Sequence, residues 1–202
     1  MEAKDIKRES LVGRMVKRPE SIGRANALLW GVAWLIVCSM LGWYFRLIPI
    51  SSFGFTASGY VSLAWVLIYN VIVWFLSCVL LFALAVLRKR KIGAFELFAR
   101  LLYARWPVTL LLLPGMITSQ RVAYSTFMRD PLLAFETNPV YATLLTAICV
   151  VILLWYLYWS FLAFRKAQQK RGVITFVVFV VGFVLSYPLT MWTMKMLYGV
   201  LL

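Results

Sequence analysis

Four long apolar runs divide the chain: Asn26 to Leu47, Tyr60 to Leu87, Pro139 to Phe164, and Val173 to Leu202, the last interrupted only by Lys195. Each reaches the roughly 20 residues that a helix rising about 1.5 Å per residue needs to cross a hydrocarbon layer. They predict four transmembrane helices. Between the second and third of these runs the pattern is mixed. Ile92 to Trp106 holds Glu96, Arg100 and Arg105, and the unbroken apolar stretch after it, Trp106 to Ile117, is short.

Charge parity decides how to read that stretch. Arg88, Lys89, Arg90 and Lys91 follow the second run, and Arg165, Lys166, Lys170 and Arg171 follow the Pro139 run. The positive-inside rule puts both clusters on the cytoplasmic side. One run alone lies between them, so a further crossing must fall between residues 92 and 138. Leu101 to Ile117 is therefore predicted as a short third span, with Arg105 snorkelling toward the inner headgroups. The expectation is an all-α integral membrane protein of one domain. A cytoplasmic segment 1–25, forming an N-terminal amphipathic interfacial helix, precedes a bundle of five transmembrane helices over about 26–47, 60–87, 101–117, 139–164 and 173–200.

Composition sharpens this. The chain is 63% hydrophobic and 14% charged, with mean hydropathy +0.87; soluble domains average about 45–50% and 25%. Lys and Arg number 21 against 7 Asp and Glu. Fifteen of those 21 fall in residues 1–25, 88–91 and 165–171, so the charge encodes orientation: N-terminus in, C-terminus out. The charge is dispersed over short segments, which argues against a nucleic-acid partner. A cleaved signal peptide is not expected, because the first apolar run is too long for one.

The absence of histidine excludes a Ser-His-Asp triad, a histidine-ligated metal site and an imidazole switch. Cys38, Cys78 and Cys149 lie on three different spans and read as packing residues, not disulfides. No cofactor or metal is expected, and the carboxylates Glu96, Asp130 and Glu136 are too scattered for one catalytic site. The chain is therefore expected not to be an enzyme.

Residues of interest remain. Asn70 is the most polar group near the middle of the second run, either interhelical glue or a solute contact. Ser77, Thr143, Thr146 and Ser186 read as helix-contact residues. Pro107 and Pro114 should bend the third span, serving packing or a gate. Ile92 to Trp106 is amphipathic, an interfacial lead-in or a docking surface, with Glu96 and Arg100 spaced i,i+4 as an ion pair. Leu11, Val12, Met15 and Val16 form an apolar stripe flanked by Arg14, Lys17 and Arg18; Pro19 ends that element, and Ser21 is positioned to cap the first span. Arg14, Lys17, Arg18 and the cluster Arg88, Lys89, Arg90 and Lys91 are the candidate contacts for anionic lipid or a protein partner.

Two stretches resemble the Yip domain family, five-span membrane proteins that include Ypt/Rab-interacting proteins and bacterial relatives. LVGRMVKRPESIGRANALLWG, residues 11–31, is similar to the family's short amphipathic helix, proline and first span. KIGAFELFARLLYARWPVTLLLLPGM, residues 91–116, is similar to its glycine, aromatic interfacial helix, tyrosine–alanine step and proline opening span three. The resemblance implies five spans and, for eukaryotic members, vesicle trafficking with small GTPases. Their long acidic N-terminal region is not in this chain, so the likeness is to a bacterial-type member. It carries no catalytic residues. Two functions follow as expectations: a non-enzymatic scaffold, membrane-organising or trafficking-type protein contacting anionic lipid and protein partners, or a small permease or channel using the kinked third span and Asn70.

Overall fold

The structure, a computed structural model, describes residues 18–52, 54–57, 61–87, 93–116, 121–168 and 172–201. Five helical segments are long and apolar enough to cross a membrane: Arg24–Phe45, Leu63–Leu87, Ala94–Met116, Pro139–Gln168 and Val173–Leu197. The molecule is a multi-pass membrane protein. Helix α1 is Arg24–Phe45 and α2 is Leu63–Leu87. The third span is broken into α3 (Ala94–Ala104), the single turn α4 (Trp106–Thr109) and a 3-10 stretch, Leu110–Met116. Two short helices, α5 (Arg121–Arg129) and α6 (Pro131–Thr137), lead into α7 (Pro139–Gln168) and α8 (Val173–Leu201).

The third span is the centre of the bundle. Its most apolar window is 72% buried, against 22–33% for the other four. Helices α1, α2 and α7 pack around α3, with Gly31 of α1 at the tightest point. A Cβ there would stand 2.8 Å from Leu102 Cγ and 2.9 Å from Tyr103 N. Helix α8 packs mainly on α2 and touches α7 only slightly. Large apolar side chains on its other faces, such as Val177, Val181 and Trp192, are exposed, as expected of a helix that meets lipid.

The span begins earlier than predicted, at Ala94 instead of Leu101. Leu97, Ala99, Arg100, Leu101, Leu102, Tyr103 and Ala104 are all buried, while Phe95 at the start of α3 is exposed. Of its charged residues, Arg100 is buried and Glu96 is partly buried. Trp155 and Trp159 pack inside the bundle. They ring Trp106 with centroids 5.0 and 5.7 Å away, and Trp34 completes the cluster at 5.5 Å.

The second departure is a β-hairpin between the first two spans. Arg46 ends α1 in the left-handed conformation, φ 56° and ψ 42°, and the chain turns back. Strands β1 (Leu47–Ser51) and β2 (Gly54–Ala57) pair antiparallel, Leu47 opposite Ala57 and Ser51 opposite Gly54. Leu47, Ile48, Ser51 and Ser52 are each 4% exposed or less. Ser52 Oγ reaches Ser77 Oγ at 2.7 Å and Ser186 Oγ at 3.3 Å. Ser77 lies fourteen residues into α2, about 21 Å from that helix's start. The hairpin is therefore re-entrant, entering the bundle to about mid-depth. Non-helical backbone survives at such depth only when protein covers it. Here α2 and α8 flank β1, and α5 covers β2.

On the side where α1 begins, two arginines hold the segment before it. Arg100 Nη1 donates to the Pro19 carbonyl, and Arg165 Nη2 meets Glu20 Oε2 at 2.7 Å. Pro19 and Ile22 are buried. Ser21 does not cap α1: its hydroxyl bonds to the Arg18 carbonyl at 2.9 Å, and Gly23 is the N-cap without a side-chain bond. The hydroxyl is used within the preceding turn.

Candidate functional site

The break in the third span sits at Arg105. Its own N–H bonds to Leu102 O at 3.3 Å and its carbonyl accepts from Val108 N at 2.9 Å; both are three-residue bonds of the tighter helix type. Pro107, two residues on, has no N–H and takes one of the first positions of α4, where that loss costs least. Pro114 acts similarly further along. In a 3-10 stretch its missing N–H would have served Leu111 O, and the hydroxyl of Tyr124 donates to that carbonyl instead. Gly115 admits the Tyr124 ring, since a Cβ would lie 2.8 Å from Cε1. Burial pushes the Tyr124 phenol above its usual range, which keeps it a donor. The two prolines thus bend the span as predicted, and a tyrosine outside it repairs the second break.

Arg105 was expected at the headgroups. Its guanidinium instead turns inward, Nη1 donating to the backbone carbonyl of Asn70 at 3.2 Å. Position 105 lies eleven residues into the span, about 16 Å from its start, too deep for the side chain to be aimed outward while bonding to mid-α2. Asn70 is 1% exposed; its Nδ2 donates to Ser39 Oγ on α1 at 3.1 Å and to Val66 O at 3.2 Å. Asn70 is thus interhelical glue whose backbone also holds the arginine.

Arg105 lines two small cavities, each of about 10 Å³, room for one water-sized occupant. The first is walled by Trp34, Leu35, Cys38, Asn70 and Thr109 among others. The second is walled by Trp74, Ser77, Cys78, Tyr156 and Ser160. Ser77 joins this second cavity to the hairpin tip through its bond to Ser52. The indole N–H groups of Trp34 and Trp74 are buried without a hydrogen-bond partner among the described residues.

The electrostatics of the centre are one-sided. Glu96 pairs with Arg100 at 3.1 Å, Glu20 pairs with Arg165, and Asp130 caps α6 by accepting from Leu133 N at 3.2 Å. Among the described residues Arg105 has no carboxylate partner. No group of three or more His, Cys, Asp or Glu side chains able to hold a metal occurs among them either. Cys38 and Cys78, buried, and Cys149, partly buried, are free thiols.

Of the residues singled out in the sequence, Cys38, Asn70, Ser77 and Cys78 line the two cavities beside Arg105, whereas Pro107 and Pro114 line neither. Glu96 and Arg100 form their ion pair, with Arg100 buried and bonded to the Pro19 carbonyl and Glu96 partly buried. Arg18 is exposed. Arg14, Lys17, Arg88, Lys89, Arg90 and Lys91 lie outside the described residues. Arg105 was read as a snorkelling residue, and Ser52 and Tyr124 were not singled out. Their nearest signals are an arginine two residues before a proline and the absence of any charge between Arg46 and Arg88. No protein-family model, no curated protein and no solved structure matches the chain at a significant level.

Proposed function

We propose that this protein is a small permease that binds a small solute at Arg105, acting without covalent chemistry. One observation carries the reading: a cation without a carboxylate partner among the described residues stands at the break of the central span, beside the cavity that the re-entrant hairpin reaches. Broken helices and irregular backbone at membrane depth are how many transporters build a solute site, and an intramembrane ionisable group is expensive unless used. The centre is closed as it stands, with two separate one-occupant spaces, so passage requires the bundle to move. On this reading the N-terminus is cytoplasmic, the C-terminus lies outside, and the membrane is a bacterial inner membrane.

The test is solute flux in vesicles carrying the purified chain. Arg105→Met and Asn70→Leu should each abolish flux, while Arg46→Gln, at the far end of α1, should not. Flux unchanged in Arg105→Met would overturn the proposal.

A second reading is favoured by the two bonds that fasten Pro19 and Glu20 to Arg100 and Arg165. They anchor the end of the basic segment on the face where Arg165 and Lys166 emerge. A membrane-organising role, with anionic lipid and protein partners, would use that face, and the Yip-type resemblance belongs to this reading. Replacing Arg14, Lys17 and Arg18 with glutamate in the full chain should then weaken its preference for anionic vesicles; an unchanged preference would remove the reading.

A further inference from the structure

We infer that the groove between α7 and α8 binds one acyl chain of an anionic phospholipid, whose headgroup is held by Arg165 and Lys166. This deepens the lipid-contact reading above, on which it rests for the basic face, and it does not involve Arg105. The groove exists because α8 packs mainly on α2 and touches α7 only slightly. Its walls include Leu153 and Leu157 of α7 and Phe179, Val180, Phe183 and Val184 of α8, and every lining side chain but Tyr187 is pure hydrocarbon. Its volume is about 390 Å³, more than twice the roughly 150 Å³ of an apolar cavity that takes up benzene. Val180 and Val184 are exposed, so the groove opens sideways to whatever surrounds the bundle. Around a membrane-spanning helix that medium is lipid chains.

Depth and charge select the occupant. Leu153, Leu157, Phe161 and Arg165 stand four residues apart and form one stripe of α7. At about 1.5 Å per residue, Phe161, Leu157 and Leu153 lie about 6, 12 and 18 Å from the level of Arg165. That is close to the depth of one leaflet, half of a hydrocarbon layer of about 30 Å. The Arg165 guanidinium lies over the Phe161 ring, 5.9 Å from its centroid, and that ring meets Phe179 at 5.5 Å. An unbroken track therefore runs from the cation to the groove wall. Arg165 pairs with Glu20, and Lys166 beside it is exposed, so two cations face one carboxylate and the end of the track stays positive. A second copy of the chain fits this groove less well. Helices pack closely in membranes through small residues, and those of this part of α8 are already engaged: Gly182 lies against Leu81 and Leu84 of α2, and Ser186 bonds to the hairpin. Large, uneven walls suit a flexible chain.

The test uses the full chain in phosphatidylcholine vesicles that contain a minor share of phosphatidylglycerol carrying a photoactivatable group midway along one acyl chain. After illumination, labelled residues are mapped by mass spectrometry. Adducts should concentrate on the groove walls of α7 and α8, and unlabelled phosphatidylglycerol should displace them several-fold better than added phosphatidylcholine. The double variant Val180→Trp, Val184→Trp fills the groove at two exposed positions, where the fold is not at risk, and should lower those adducts several-fold or more. Arg165→Gln with Lys166→Gln should remove the preference for phosphatidylglycerol while an acyl chain still enters. Adducts spread evenly over the exposed faces of all five spans would overturn the site; a surviving preference of the chain for anionic vesicles would then leave the lipid-contact reading standing. No such preference in the unaltered chain would overturn both. Equal labelling by a phosphatidylcholine probe would overturn selection by charge. A groove shielded from the probe in a chain that migrates as a dimer would assign it to a second copy and overturn the lipid.

Discussion

Arg100 is 4% exposed, bonds to Glu96 one turn before it and holds the carbonyl of Pro19. Arg105, five residues along the same span, bonds to one backbone carbonyl and borders two cavities. The first arginine is satisfied by the chain itself and joins the N-terminal segment to the central span. The second is left with donors to spare. Two identical side chains on one span thus separate into a fastening and a site, and the difference lies in whether a carboxylate stands one turn away. Arg100 has Glu96 at i−4; at the same spacing from Arg105 stands Leu101.

Substitutions sharpen or break that contrast. The largest loss should come from Arg100→Met. It strands a largely buried carboxylate and the Pro19 carbonyl, at about 3–5 kcal/mol, read as a lowered midpoint of thermal unfolding in detergent. Arg105→Met should change the same midpoint by less than about 1 kcal/mol, since no ion pair is broken. Equal losses at the two positions would make Arg105 another fastening. Next comes Gly31→Val, whose branched side chain meets the backbone of Tyr103 and the side chain of Leu102. Overpacking there should destabilise by about 1–3 kcal/mol and part α1 from α3 beside the first cavity.

Ser52→Ala should cost about 1 kcal/mol. Ser77 and Ser186 keep their backbone acceptors, Val73 O and Phe183 O at 2.8 Å each. A much larger loss would mean that the hairpin depends on its tip. The smallest effect belongs to Arg165→Gln. Both partners of that pair are more than a quarter exposed, so a few tenths of a kcal/mol is expected, and less at high salt. Titration of unfolding against salt in wild type and variant measures it.

The long spans were legible because hydropathy alone determines them: α2, α7 and α8 begin or end close to where their apolar runs do. The start of the third span was hidden by its own chemistry. Glu96 and Arg100 look interfacial one residue at a time, yet paired and covered by Pro19 they are tolerated inside the bundle. The hairpin was hidden for another reason. Pro49, Ser51, Ser52 and Gly54 carry turn and loop signals, and those residues read alike whether the loop lies outside or folds back. What separates the two cases is long-range: the hydroxyl of Ser52 meets Ser77 and Ser186, and no local pattern announces that. Asn70 was found because a lone amide in an apolar run is conspicuous. Arg105 was overlooked because an arginine near a predicted span end has an easy alternative.

The bond between Ser52 and Ser186 joins residues 134 apart in the chain. During synthesis the hairpin emerges with the first two helices, long before α8 exists to close its flank. Until then β1 rests on α1, α2 and its partner strand β2, with the side that α8 will cover left open. Assembly is thus ordered in time: the re-entrant strands can lodge at full depth only after the last span has been inserted. A chain released before Val173 would retain four crossings but lack the seat for its hairpin, and would be a substrate for membrane quality control.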